Sequence, residues 1–353
     1  MLTYLEEDLD SILKHTAKCW ESAKNKTFFI TGGTGFFGIW LQMSFIFINR
    51  KLNLNSKVII LTRNKTEFLK KYPWLHEYPE MSFLEGDITE FEFIDDHIDY
   101  IIHAATEASV KLNIEEPLTM FKTVVNGTKR ALDFARLKNV KSFLLTSSGA
   151  VYGKQTSDMA NISEDYLGAP SPSLASSMYG EGKRMAEVLC SVYSENYNIP
   201  VKVARCYAFI GPFLPLDSHF AAGNFIRNVL RGEDILIEGD GTPLRSYMYA
   251  ADLVAWLWTI LFEGEINRPY NVGSDESISI HELATLIAKN DDSDNVGIYI
   301  KTPRSNEISL KYVPNVDRAT TELDLRIINS IGVAIKKTID FNRKWNRNIS
   351  NHE

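Results

Sequence analysis

Tyr179 and Lys183 stand four residues apart in Tyr179-Gly180-Glu181-Gly182-Lys183, where a helical pattern begins. That spacing puts both side chains on one helix face. A free phenol titrates near about 10, too high for ready proton exchange at neutrality, and a neighbouring ammonium favours the phenolate. The pair is therefore suited to moving a proton, and the lysine could also hold a ribose hydroxyl. A tyrosine and a lysine at this spacing are equally an ordinary surface pair. Upstream, Thr146-Ser147-Ser148-Gly149-Ala150-Val151-Tyr152-Gly153 ends a strand pattern with hydroxyls. Ser148 could orient a reacting oxygen and relay its proton.

Such groups need a partner that is bound and positioned. Phe28-Phe29-Ile30-Thr31-Gly32-Gly33-Thr34-Gly35-Phe36-Phe37-Gly38 runs from a strand through a glycine turn into a helix. Gly32, Gly35 and Gly38 leave N–H groups bare for a pyrophosphate at the helix N-terminus. Thr34, Phe36 and Phe37 belong to the same expected dinucleotide site. A carboxylate at the end of the second strand favours NAD, whereas an arginine accommodates a 2′-phosphate. Leu61-Thr62-Arg63-Asn64-Lys65 has no acid before Glu67, which puts NADP ahead of NAD. Arg63 is alternatively a solvated loop charge. Asp87 and Ile88 follow the third strand, where an adenine edge could be read, and Asp87 is equally a turn residue. Asn126, in a helical pattern, holds a carbonyl or a water, or locally breaks the helix.

The elements around these groups alternate. Apolar strand patterns at Thr27–Thr31, Val58–Thr62, Phe83–Leu84, Tyr100–Ala104, Phe143–Ser147 and Val201–Ala204 are separated by helical ones, including Leu118–Lys138 and Tyr179–Tyr197. Alternation of this kind predicts an α/β fold, a Rossmann-type doubly wound parallel sheet. Beyond Gly211, prolines and glycines cut the chain into short elements. The expected organisation is a helical N-terminal extension over 1–25, a dinucleotide-binding domain over 26–210, and a smaller C-terminal substrate-binding lobe over 211–345.

The 353 residues are 44% hydrophobic and 24% charged, enough for a large core. A net charge of −7 argues against a general nucleic-acid partner. Cys19, Cys190 and Cys206 have neither disulfide nor zinc spacing, so no metal is expected and a reducing, cytoplasmic setting is the simplest reading. The first 26 residues lack an apolar stretch of signal-peptide length, and no apolar run approaches the roughly 20 residues that span a bilayer.

Together the TGGTGFFG turn, His103-Ala104-Ala105, Asn126-Gly127-Thr128, SSGAVYG, YGEGK, Gly211-Pro212 and Arg245 resemble the extended short-chain dehydrogenase/reductases of the NAD(P)-dependent nucleotide-sugar epimerase/dehydratase family, over roughly residues 26–340. The resemblance implies bound NAD(P), a catalytic Ser148–Tyr179–Lys183 set, and homodimers formed through two helices per subunit. It places Ala104, Ala105 and Asn126 beside the cofactor, with Tyr179 and Lys183 touching it. For a nucleotide-diphosphate sugar it implies Arg245 and Arg304 on the diphosphate, with Glu107, Ser148, Tyr179 and Asn224 also in the substrate site. Guanidinium suits phosphate because its planar fork is always charged.

The departures narrow the reaction. Dehydratases of this family carry an Asp-Glu pair where this chain has Gly149 and Ala150, which cannot transfer protons. UDP-glucuronate decarboxylases usually keep the glutamate at the position of Ala150. Cys206-Tyr207-Ala208 replaces a stretch in which relatives often place an asparagine near the substrate. Leu214-Pro215-Leu216-Asp217-Ser218-His219-Phe220 resembles a subgroup of dTDP-4-keto-6-deoxyhexose 4-reductases. The expectation is therefore reduction of a 4-keto-6-deoxy sugar nucleotide, with 4-epimerisation through a transient 4-keto sugar second and decarboxylation or dehydration behind both. A dinucleotide-binding regulator without catalysis is the rival outside enzymology, and the intact Ser148, Tyr179 and Lys183 argue against it.

Overall fold

The computed structural model describes residues 2–106, 113, 115–217, 220–290, 296–303 and 308–350. Seven parallel strands form the central sheet: β1 (Thr27–Thr31), β2 (Lys57–Thr62), β3 (Met81–Glu85), β4 (Tyr100–His103), β5 (Ser142–Ser148), β7 (Val201–Cys206) and β12 (Pro269–Val272), in the spatial order β12-β7-β5-β4-β1-β2-β3. Their near-continuous apolar runs fit a sheet covered on both faces, and separate hydrophobic clusters hold Phe28 and Ile30 on one face and Phe29 and Ile101 on the other. The order reverses between β1 and β4, so the ligand crevice of such a sheet opens at their carboxyl ends. The expected doubly wound α/β fold is the observed one.

Two segments from beyond residue 211 belong to this sheet. Strand β12 pairs with β7, and helix Ala250–Glu263 packs beneath. That helix and helix Phe36–Lys51 are apolar almost all round and nearly fully buried. A helix of that character needs cover on its outer face too. Helix Glu6–Thr16 and the 3₁₀ segment Ala17–Ala23 supply it through Leu9, Ile12 and Trp20, all at most 1% exposed. Trp20 meets Trp258 edge-on, with ring centroids 4.9 Å apart.

A second sheet lies across the carboxyl ends of the large one. It orders β13 (Ile278–Ser279), β10 (Leu244–Arg245), β15 (Leu310–Tyr312) and β6 (Gln155–Thr156). Two further pairs join β8 (Phe209–Ile210) to β11 (Met248–Tyr249) and β9 (Ile235–Ile237) to β14 (Ile298–Ile300). Trp40 Nε1 donates to the carbonyl of Pro212 (2.9 Å), tying helix Phe36–Lys51 to the segment that leads into this smaller layer. Among the described residues no helix is long and apolar enough to cross a membrane, and no group of three or more His, Cys, Asp or Glu could hold a metal ion.

Candidate active site

The glycine turn closes tightly on the end of β4. Gly32 has φ +70°, and a Cβ there would stand 2.5 Å from the carbonyl group of Ala104. Only glycine meets both demands. At position 38 a Cβ would lie 2.1 Å from the Gly33 oxygen. Helix Phe36–Lys51 begins at this turn with Gly35 as its N-cap and no side-chain cap. Its first N–H groups are therefore left for another acceptor, which is what a pyrophosphate needs. Gly35 lies exposed on the turn, with Thr34, Phe36 and Phe37 half-buried around it. The Phe37 ring meets Phe209 edge-on at 5.1 Å.

A directional hydrogen-bond chain holds the cradle. The Ala105 N–H donates to Thr31 Oγ1 (3.1 Å), which donates to His103 Nδ1 (2.8 Å). Thr128 Oγ1 donates to the Val124 carbonyl (2.6 Å) and so accepts from His103 Nε2 (3.1 Å). His103 is thus fixed as the neutral Nε2–H tautomer. Burial pushes its imidazole down to about 3, with the Lys183 charge adding to the effect.

The remaining expected cofactor residues are more dispersed. Arg63 is exposed just past β2. Asp87 is engaged locally, accepting from the Thr89 N–H (2.9 Å) and hydroxyl (2.6 Å). Ile88 is buried against Gly127, where a Cβ would meet it at 3.0 Å. Asn126 is exposed and ends the π-helical turn Lys122–Asn126, a local departure from the α-helix.

Ser148 ends β5, and helix Met178–Tyr197 starts close by with Tyr179 in its first turn. The Tyr179 phenol lies beside Ser148. Burial drives that phenol up to about 12, and the serine partly opposes it. Lys183, 3% exposed, donates to the Thr146 carbonyl (2.8 Å), with its Nζ 6.0 Å from the centre of the Tyr179 ring. Burial pulls its ammonium down to about 8, opposed by Cys206, Glu187 and Cys190. The structure therefore brings Ser148, Tyr179 and Lys183 together, with a protonated phenol and a lysine poised near neutrality.

Arg245 lies opposite, on β10. Its Nη1 bonds only the neighbouring Leu244 carbonyl (2.9 Å), and no described carboxylate lies within ion-pair distance. Burial lowers its tendency to hold the proton, while Tyr247 and Tyr312 oppose this. A partly buried cation with no counter-charge among the described residues is suited to an anionic ligand. Asn224 lies in the first turn of helix Ala221–Arg231, where its Oδ1 accepts from Arg227 Nη1 (3.3 Å). Glu107 and Arg304 lie outside the described residues.

Two tyrosines join the site that sequence reasoning did not assign. Tyr312 pairs in register with Arg245 across β10 and β15, and its hydroxyl lies 3.4 Å from Ser148 Oγ. It therefore lies between the Ser148 hydroxyl and Arg245. The Tyr207 ring packs on Tyr312, with centroids 4.6 Å apart, and covers Gly149. No local motif signals Tyr312, because its place depends on pairing with Arg245, a residue far away in sequence.

A glycine cradle at the switch point, a hydroxyl–phenol–lysine cluster beside it and an arginine with no counter-charge among the described residues have the form of a dinucleotide-binding α/β enzyme site. The model of the NAD dependent epimerase/dehydratase family matches residues 28–273, and the chain belongs to that family. It is 32% identical to UDP-glucuronic acid decarboxylase 6 of Arabidopsis thaliana over 267 residues, 74% of each chain. It is 27% identical to UDP-glucuronic acid decarboxylase 1 of Xenopus tropicalis, over 93% of this chain and 75% of that one. In fold it is similar to the UDP-glucose 4-epimerase of Thermotoga maritima crystallised with UDP-glucose, with TM-score 0.77, 24% identity and coverage of 90% and 99%. It is likewise similar to the dTDP-glucose 4,6-dehydratase of Bacillus anthracis crystallised with NAD, with TM-score 0.75, 20% identity and coverage of 90% and 97%.

Proposed function

We propose that the protein catalyses redox chemistry at C4 of a nucleotide-diphosphate sugar, and that its net reaction is reduction of a 4-keto-6-deoxy sugar. The observation that carries the reading is the Ser148–Tyr179–Lys183 cluster beside a cradle that a Cβ would fill. Gly32, Gly35, Gly38, Ala104 and Ala105 would hold a nicotinamide dinucleotide, which when bound supplies or takes up a hydride. Tyr179 delivers the proton to the sugar oxygen, Ser148 orients that oxygen, and Lys183 stabilises the phenolate left behind. Arg245 neutralises the diphosphate. The Tyr207 ring fills the space beside Gly149, so no acid at that position can assist loss of water.

The absence of a carboxylate at the tip of β2, with Arg63 next in the chain, supports NADPH as the reductant. Glu67, the first acid beyond it, accepts from Asn64 Nδ2 (3.1 Å) and sits inside the following helix. A second reading retains the cofactor and oxidises C4 only transiently, as epimerases and decarboxylases do. The names of the curated relatives favour it, and Ala150 disfavours its decarboxylating form.

We also read the working unit as a homodimer. Helix Met178–Tyr197 exposes Met185, Val188 and Val192, and helix Pro117–Phe121 exposes Leu118 and Phe121, the apolar surface two helices per subunit would bury. The activity is tested by supplying NADPH with a dTDP-linked 4-keto-6-deoxyhexose. Stoichiometric oxidation of NADPH supports reduction, and interconversion of C4 epimers without net oxidation supports the second reading.

A further inference from the structure

Helix Met178–Tyr197 carries a third polar group on the face that bears Tyr179 and Lys183. Glu187 follows Lys183 by four residues, one turn further along. It is largely buried, its side chain 15% exposed, and it is not left to solvent. Oε1 accepts from Ser147 Oγ (2.5 Å) and Arg205 Nε (3.1 Å), while Oε2 accepts from Arg205 Nη2 (2.7 Å).

Its two partners are side by side. Ser147 on β5 and Arg205 on β7 are direct partners in the parallel register, as Ser148 and Cys206 are one residue later. The ends of both strands are therefore fastened to one carboxylate on the helix. Arg205 extends the clasp, since its Nη1 donates to the Tyr152 hydroxyl (2.8 Å) and the Glu164 carbonyl (3.2 Å). That fixes the turn Gly149–Tyr152, which leaves directly from Ser148.

The carboxylate also bears on Lys183. Around that lysine are the Thr146 carbonyl from β5, His103 from β4, Cys206 from β7, and Tyr179, Glu187 and Cys190 from its own helix. His103 is neutral in its hydrogen-bond chain, and burial drives both thiols upward, Cys206 to about 12. Glu187 is the carboxylate in this group. Arg205 bonds both of its oxygens.

We propose that Glu187 is a positioning residue: with Ser147 and Arg205 it clamps the ends of β5 and β7 to the catalytic helix beside Ser148, and it supplies the negative charge that Lys183 faces. This rests on Tyr179 and Lys183 being the proton-handling pair. Glu187→Gln keeps an acceptor for Ser147 and removes the charge. Ser147→Ala keeps the charge and removes one tie of the clamp.

The test follows Lys183 itself by NMR of carbon-13-labelled lysine side chains, with Lys183→Met identifying its signal. The midpoint is expected near about 8 in the unmodified protein. It should fall by about one unit in Glu187→Gln, because an opposite charge nearby favours the ammonium. In Ser147→Ala the midpoint should stay, while kcat drops about fivefold through lost orientation of Ser148. If Glu187→Gln fails to fold, the pair Glu187→Gln with Arg205→Gln removes opposite charges together, and the Lys183 midpoint should still fall, by less than in the single variant because the Arg205 charge goes too. An unmoved Lys183 midpoint in the folded variant overturns the charge role, and an unchanged kcat in Ser147→Ala overturns the clamp. Full kcat in Lys183→Met or Tyr179→Phe would instead overturn the catalytic reading beneath both.

Discussion

The Tyr207 ring occupies the space a side chain at position 149 would need: a Cβ there would stand 2.6 Å from Tyr207 Cζ. The two positions are therefore a matched pair, a glycine on the turn after Ser148 and a ring lying over it. Gly149→Ala should destabilise the fold by about 1–3 kcal/mol through overpacking. Tyr207→Ala in the same chain should return part of that loss, a coupling that a double-mutant cycle in denaturant unfolding measures. Additive effects would show that ring and backbone are independent.

Tyr312 offers a cleaner cut. Tyr312→Phe keeps the packing on Tyr207 and removes only the hydroxyl beside Ser148. One neutral hydrogen bond is worth about 0.5–1.5 kcal/mol, so kcat/KM should fall between about twofold and tenfold with cofactor affinity unchanged. Steady-state kinetics and cofactor titration check it, and an unchanged kcat/KM would leave Tyr312 as packing alone.

Much of this site was legible in the sequence because its chemistry is local. The glycine turn, the hydroxyls closing β5 and the Tyr179–Lys183 spacing each occupy one short stretch with its own strand or helix context. Tyr312 and Tyr207 were not legible, since their relation to Ser148 and Gly149 arises from strand pairing and side-chain packing across the molecule. Glu187 lay within reach, because the four-residue step from Tyr179 to Lys183 continues to it. Its two partners on β5 and β7 emerge only from the register. The N-terminal extension was readable as helical, but its purpose follows from helices Phe36–Lys51 and Ala250–Glu263 being apolar on both faces.

His103 makes stability depend on pH. Its folded-state value of about 3 lies below the ordinary 6.5. The neutral form is therefore favoured by folding, and that contribution is complete above pH 6.5. It is lost progressively as pH falls from there toward 3. The limiting slope is about 1.4 kcal/mol per pH unit. His103→Gln, which cannot titrate, should show a flatter decline in unfolding free energy over the upper part of that range. Equal slopes in the two proteins would show that His103 titrates alike folded and unfolded.

The apolar stripe on helix Met178–Tyr197 makes the dimer testable. Val188, 54% exposed, lies at its centre with Met185 and Val192 on either side. Val188→Asp should convert the dimer to a monomer in sedimentation while leaving the thermal transition of the chain near its original place. A monomeric unmodified protein would remove the proposal.

The central claim is tested most directly by following nicotinamide oxidation and sugar product together when the protein is given NADPH and a dTDP-linked 4-keto-6-deoxyhexose. The account predicts one NADPH oxidised per C4 hydroxyl formed, and loss of nearly all turnover in Tyr179→Phe with cofactor still bound. Undiminished turnover in Tyr179→Phe, or no reaction of any C4-oxidised or C4-hydroxyl nucleotide sugar with the unmodified protein, would contradict it.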